Sequence, residues 1–335
     1  MTTQKIAAPK GPAFDRKPRS VRSLASSLFA LPSSGAVVSV LIVSTFLTFA
    51  SPQFLTVDNL TLVARSFSFI AIAAMGQFVV ILTRGIDISA GSVIGLAGIV
   101  TAMLSSAGVP VLLALLGGLV SAMLVGLLNG WLIAAFGLVS FMVTLGMLNV
   151  VRGLDVALTR GFPITGIDES IKELGQGFTL GLPNPVWIMV ILAAIMWWVM
   201  TRTVYGRQLY AIGGNDEAAR LSGVRVRMIT ASAYVLSALF AGIAGILLTA
   251  RLGVAEANIG FGYELDIIAA AVIGGTSFFG GIGSVVGVIW GAALLGIVRN
   301  GMALLGVDSY WQQIVIGAVI IIAVIIDRLR TRNAH

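Results

Sequence analysis

Two short polar segments interrupt long apolar ones, and they hold most of the residues that could act on a solute. The first is Thr83-Arg84-Gly85-Ile86-Asp87-Ile88-Ser89-Ala90-Gly91-Ser92. Its Gly85 tolerates positive φ, and Asp87 or Ser89 has the side chain to cap a helix that follows. That pattern fits a gate element on a transport pathway or a capped turn between two helices. The second is Gly274-Gly275-Thr276-Ser277-Phe278-Phe279-Gly280-Gly281-Ile282-Gly283, with too many glycines for a straight helix. Polar backbone of either kind survives inside a bilayer only where protein or a water-filled cavity surrounds it. Glu264 and Asp266 read as hydrated interface groups, and Arg65, Arg152 and Arg251 as snorkelling or ion-pairing side chains.

Enzyme chemistry is poorly supplied by comparison. The chain has no Cys, and its one His is His335, which excludes disulfides, Cys or His nucleophiles and His-based metal sites. No Gly-Lys dipeptide occurs, so there is no phosphate-cradling P-loop and the chain is not its own Walker-type ATPase. Neither a His-Glu-x-x-His nor a Gly-x-Ser-x-Gly pattern is present.

The elements that must position these segments follow from composition. Of 335 residues, 58% are hydrophobic and only 10% charged, against about 25% in an ordinary soluble domain. A water-soluble globule is excluded, and the fold class is an all-α polytopic membrane protein. The net charge of +7 reads as a cytoplasmic bias of Lys and Arg; nucleic-acid-binding signatures are absent. Residues 88–151 carry no charge, and 64 residues at about 20 per span make three helices, broken near Ala107-Gly108-Val109-Pro110 and Phe136-Gly137. Further spans are expected at 34–50, 62–82, 185–201, 228–250, 261–279, 284–300 and 309–326, ten in all.

Charge sets their orientation. Lys5, Lys10, Arg16, Lys17, Arg19 and Arg22 precede the first span, Arg328, Arg330 and Arg332 follow the last, and 202–227 holds five arginines against Asp216 and Glu217. Both termini and 202–227 are therefore expected in the cytoplasm, and the mixed-charge 152–173 as an external loop. Residues 1–33 read as a basic, disordered cytosolic tail, 34–327 as the membrane domain and 328–335 as a second cytosolic tail. Thr48-Phe49-Ala50 weakly imitates a signal-peptide cleavage site, but the long leader and near-spanning apolar run favour an uncleaved helix. Gly283, Gly287 and Gly291 place small residues on one helix face for close packing. Ala90-Gly91-Ser92-Val93-Ile94-Gly95 and Ile282-Gly283-Ser284-Val285-Val286-Gly287 read alike, as in a duplicated transporter half or by chance.

Outside the membrane, Tyr205 to Val224 stands out. Asn215 is placed to cap a short helix from Asp216, acids occupy its first turn, and Gly223 is placed to end it. Such a helix suits contact with another protein, and a plain solvated loop is the other reading. Here the residues resemble a known family. Glu217-Ala218-Ala219 followed by Gly223 is similar to the coupling-loop motif in membrane subunits of ATP-binding-cassette importers. The string from Gly213 to Val224 resembles the ribose-type, or monosaccharide, permeases. Leu82 to Ser92, Thr144-Leu145-Gly146-Met147, and Gly262 to Ala270 running into Gly274-Gly275-Thr276-Ser277 resemble the same family, in its order, over about residues 35–327. Arg84 departs from it, standing where the family often has Gly; Asn149 adds an amide to a usually apolar span.

The resemblance implies a multi-pass bacterial inner-membrane permease without enzyme activity or cofactor of its own, ATP and Mg being bound by a partner ATPase. It implies a second permease copy (a homodimer, with a sister-permease heterodimer as the alternative), a cytosolic cassette ATPase, a periplasmic sugar-binding protein, surrounding membrane lipid and no nucleic acid. Gly214, Asn215, Glu217, Ala218, Ala219, Arg220, Ser222 and Gly223 would seat in the ATPase. Asp87, Ser89, Ser92, Thr144, Asn149, Gly274, Gly275, Thr276 and Ser277 would lie along or beside the pathway. An ion-coupled secondary transporter, with Asp87, Glu264 or Asp266 binding H⁺ or Na⁺, is the competing class.

Overall fold

A computed structural model of the chain describes residues 34–308, 310–318 and 321. The two expected tails, 1–33 and 328–335, lie outside the described residues. Described regular structure is helical apart from one hairpin. Apolar helices stand at nine of the ten expected places: α1 (Ser34–Ala50), α2 (Val57–Leu82), α3 (Ala90–Ser106), α4 (Val111–Phe136), α5 (Ser140–Thr159), α7 (Asn184–Arg202), α10 (Val226–Leu252), α11 (Tyr263–Ile273) and α12 (Val285–Leu304). Residues 310–318 are helical at the start of the tenth, most of which lies outside the described residues. Among the described residues, α2, α4, α5, α7, α10 and α12 are long and apolar enough to cross a membrane. Three short helices complete the set: α6 (Glu169–Gln176), α8 (Val204–Gly214) and α9 (Asp216–Leu221).

The long helices divide by depth. In α2 and α10, 83% and 78% of the apolar stretch is buried inside the protein, against 17% in α5 and 28% in α4 and α7. Two core helices are thus ringed by helices whose Leu, Val, Ile and Trp side chains face outward, including Leu124, Met142, Ile191 and Trp198. An outward apolar face has no place in water and is at home in lipid. α10 packs on α2, α3 and α4, and α2 on α10, α11 and α12.

Helix ends follow local chemistry. Thr56 accepts a hydrogen bond from the Asn59 N–H at the start of α2; Ser284 does the same for Gly287 at the start of α12, 3.1 Å. Two expectations are corrected. The span expected at 261–279 is a helix only over α11, because Gly274-Gly275 ends it, Gly275 taking φ +92°. The loop expected at 152–173 begins as the last two turns of α5, so Arg152 and Asp155 are helical. The hairpin β1 (Phe178–Thr179) and β2 (Leu182–Pro183), with Thr179 opposite Leu182, then leads into α7. Gly287 and Gly291 of α12 face α11 so closely that a Cβ would run into the Gly274 and Ala270 carbonyls. Their spacing therefore serves an internal helix contact.

Candidate functional site

Between α2 and α3 the chain unwinds over residues 83–89: backbone turn bonds hold Thr83, Arg84 and Gly85, and side chains from other helices meet the polar groups of Ile86, Asp87 and Ser89. The Ile86 N–H donates to Ser140 Oγ (3.2 Å), and Thr144 Oγ1 donates to the Ile86 carbonyl (3.2 Å). With its amide oriented to suit both neighbours, Gln77 donates to the Asp87 carbonyl and accepts from the Asp87 N–H, 3.1 Å each. Asp87 Oδ1 accepts from the Ser89 N–H (3.0 Å) and hydroxyl (2.6 Å), and Oδ2 from Ser237 Oγ (3.1 Å). Asn129 then donates to Ser89 Oγ, 2.9 Å, and Ser92 to the Ser89 carbonyl, 2.8 Å. Asp87, Ser89, Ser92, Asn129, Thr144 and Ser237 are all buried. An unpaired polar group at such depth costs several kcal/mol, so the network is what permits a helix break here.

Gln77, Asn129 and Ser237 were not expected in this role. Their only signal is that each is a polar residue inside an otherwise apolar span.

Between α11 and α12, residues 274–284 are held differently. Turn bonds run within the segment, from Thr276 N–H to the Ala271 carbonyl (3.0 Å) and from Ser277 N–H to the Ile282 carbonyl (3.0 Å). Gly281 N–H reaches across to the Leu82 carbonyl at the end of α2, 3.1 Å, which joins the second break to the first. Thr276 and Ser277 are buried. Asn149, by contrast, is exposed on α5 and only donates to the Leu145 carbonyl of its own helix, 3.0 Å.

The carboxylates at the start of α11 correct another expectation. Asp266 is 2% exposed and held by Arg299 Nη2 at 2.6 and 2.7 Å; Glu264 pairs with Arg152 at 3.6 Å. Both are ion-paired and not hydrated interface groups, Asp266 buried and Glu264 partly buried, because α12 and α5 bring arginines to them. Arg152 also donates to the Gly260 carbonyl, 3.0 Å, and Arg65 stacks over the Phe178 ring, 4.8 Å from its centre.

The polar segment after α7 forms a two-helix hook. Thr203 caps α8 by accepting from the Gly206 N–H, 3.2 Å. Asn215 caps α9 by accepting from the Ala218 N–H, 2.9 Å, and Gly223 leaves α9 in the left-handed region at φ +85°. Space around Gly223 is open: a Cβ there would touch nothing. Along α9, Ala219 is buried while Asp216, Glu217, Ala218, Leu221 and Ser222 are exposed. Arg220 grips Glu217 through two nitrogens, 2.6 and 3.1 Å, and its guanidinium holds the Glu217 carboxyl below the usual carboxylate range. The hook therefore presents an ionised pair and an exposed Leu221 away from the bundle.

Its base is tied inward. Tyr210 donates to the Gly283 carbonyl, 2.9 Å, and Gly213 sits so close to Leu82 and Gly281 that a Cβ would strike backbone. The hook and both helix breaks thus meet at one end of the bundle.

The family model for branched-chain amino acid transport system/permease components matches residues 59–324. The ribose import permease of Escherichia coli K12 is 41% identical over 296 residues, 87% of this chain and 92% of that protein. The D-allose transport system permease of the same strain is 39% identical over 290 residues, covering 86% of this chain and 89% of that one. Its galactose/methyl galactoside import permease is 37% identical over 325 residues, 91% and 96% of the two chains. No solved structure matches. With outward apolar helices, two supported breaks and this likeness over nearly its whole length, the chain belongs to the branched-chain amino acid transport system/permease component family and is a multi-pass membrane transport subunit.

Proposed function

We propose that the chain is the transmembrane subunit of an ATP-binding-cassette importer for a monosaccharide, working as a pair of copies with a cytosolic ATPase and an external sugar-binding protein. The observation that carries this reading is the hook of α8 and α9, an exposed, capped and charged helix joined to both helix breaks. ATP and Mg belong to the ATPase, which docks on the surface of Gly214, Asn215, Glu217, Ala218, Arg220, Ser222 and Gly223, with Ala219 buried beneath it. The sugar names of the three relatives favour a monosaccharide over an amino acid.

The membrane domain is 34–327 with ten spans, and both termini and 202–227 are cytoplasmic. Asn149 is exposed on the outward α5 and contacts the solute or the second copy. Asp87, Ser89, Ser92 and Thr144 are buried and shape the pathway from behind. Gly274, Gly275, Thr276 and Ser277 form the opposite break and move with it.

Two loop variants test the docking assignment. Glu217→Lys or Gly223→Asp should leave membrane abundance normal while ATPase co-purification or ATP-driven uptake is lost, since charge reversal or a new side chain disturbs a docked surface more than a bilayer fold. Normal binding and uptake in both would remove the assignment. Concentrative uptake by the chain alone under a proton or sodium gradient would instead favour the ion-coupled class. A single cysteine at Ser222 should escape impermeant thiol labelling from outside and one at Glu169 should not; the reverse would contradict the proposed orientation.

A further inference from the structure

From the geometry around Arg84 we infer that this residue is a positioning latch, fastening the ATPase-docking hook to both helix breaks so that the three move together. Its side chain leaves the end of α2 and spans three segments of chain. Nε donates to the Gly213 carbonyl (3.0 Å) and the Phe279 carbonyl (3.1 Å), and Nη2 donates to the Gly214 carbonyl (2.7 Å). Nη1 lies 3.7 Å from Asp216 Oδ1 at the start of α9, a long and exposed ion pair that adds little. Gly213 and Gly214 close α8, so their carbonyls are among those a helix end leaves without an internal partner, and a cation is favoured there. Phe279 belongs to the second break, and Arg84 itself to the first. One planar guanidinium therefore satisfies the end of α8 and pins it to residues 274–284.

The backbone at Arg84 supports a purpose for the side chain. Its φ is +63°, the left-handed region, which is strained for a residue with a Cβ. Glycine would sit there without that strain. Lysine would keep the charge, but its single nitrogen cannot serve three carbonyls on two segments with the same fixed geometry. Without the side chain, the bond from Gly281 N–H to the Leu82 carbonyl still joins the breaks and Tyr210 still ties α8 to the second, but neither bond holds the Gly213 and Gly214 carbonyls, where α8 passes into α9.

The latch rests on the reading of α8 and α9 as the docking hook, and its test separates the two. The permease is purified with its ATPase and sugar-binding protein, placed in liposomes, and sugar imported per ATP hydrolysed is measured for Arg84→Gly and Arg84→Lys, beside membrane abundance and ATPase co-purification. Arg84→Gly removes the latch and relieves the backbone, so abundance and co-purification should hold while sugar per ATP falls about fivefold or more, the low end of coupling between linked sites. Arg84→Lys should fall between that variant and the parent. A ratio unchanged in Arg84→Gly overturns the latch, and so does a fall in both variants that merely tracks abundance. Should Arg84→Gly be too scarce to assay, an unchanged ratio in Arg84→Lys overturns it alone. Failure of the hook assignment shows separately, as normal ATPase binding by Glu217→Lys.

Discussion

The two helix breaks solve one problem in opposite ways. Beyond its opening turn, the first break is upheld at residues 86–89 by side chains: Gln77 from α2, Asn129 from α4, Ser140 and Thr144 from α5, and Ser237 from α10 converge on Ile86, Asp87 and Ser89. Residues 274–284 are upheld mainly by turn bonds and by backbone lying on backbone, with glycines wherever a Cβ would intrude. Both satisfy the rule that a bilayer leaves no polar backbone group alone. Their failure modes differ as a result. The first break is lost by removing atoms and the second by adding them.

The largest effect is expected from adding. Gly287→Asp forces a carboxylate into the contact where α12 meets the Gly274 carbonyl, so it brings a clash and an acid into an apolar helix interface at once. Membrane abundance should collapse, as read by immunoblot of washed membranes against the parent. Gly287→Ala, which brings only the clash, should reduce abundance less. Equal abundance for Asp and parent would mean that this break is not packed as described.

Removing comes next. Asp87→Ala deletes the acceptor for Ser89 and Ser237 and leaves three buried donors unpaired, a loss of about 3 kcal/mol or more. In a domain of this size that lowers the melting temperature in detergent by several degrees. Asp87→Asn keeps one acceptor oxygen and should recover part of the loss. Should Ala and Asn melt alike, the carboxylate is not the hub of the first break.

Much of this arrangement was legible in the sequence, for reasons that are local. Asn215, the acids at 216 and 217, and Gly223 lie within nine residues, and cap chemistry depends only on near neighbours, so α9 was expected where it stands. The uncharged run 88–151 and the glycine pairs likewise announced helices and breaks. What stayed hidden depends on contacts distant along the chain. Ser237 reaches Asp87 across 150 positions, and Arg299 reaches Asp266 across 33, so two carboxylates that read as a cap and a hydrated group are a hub and a buried ion pair. Nor could depth be read: α2 and α5 have similar mean hydropathy, 1.7 and 1.5, because lipid and protein interior ask for the same residues, yet one is core and the other rim.

The smallest effect sharpens the comparison most, because it sets one hydrogen bond in each break against the other. Ser237→Ala removes the hydroxyl that donates to Asp87 Oδ2 at 3.1 Å. Tyr210→Phe removes the hydroxyl that donates to the Gly283 carbonyl at 2.9 Å. Both substitutions keep most of the packing, so each reads mainly a lost donor. The acceptors differ. Asp87 is fully enclosed in a network whose members have nowhere else to turn, and hydrogen bonds to carboxylates are worth about 1.5–3 kcal/mol. Gly283 is neutral backbone beside a partly exposed segment, where water replaces a lost donor and the cost is about 1 kcal/mol or less. Ser237→Ala should therefore lower the melting temperature by more than Tyr210→Phe, the latter by about 2 °C or less. Equal shifts, or the reverse order, would mean that the first break does not depend on its side-chain network, and that the two breaks are held by the same means after all.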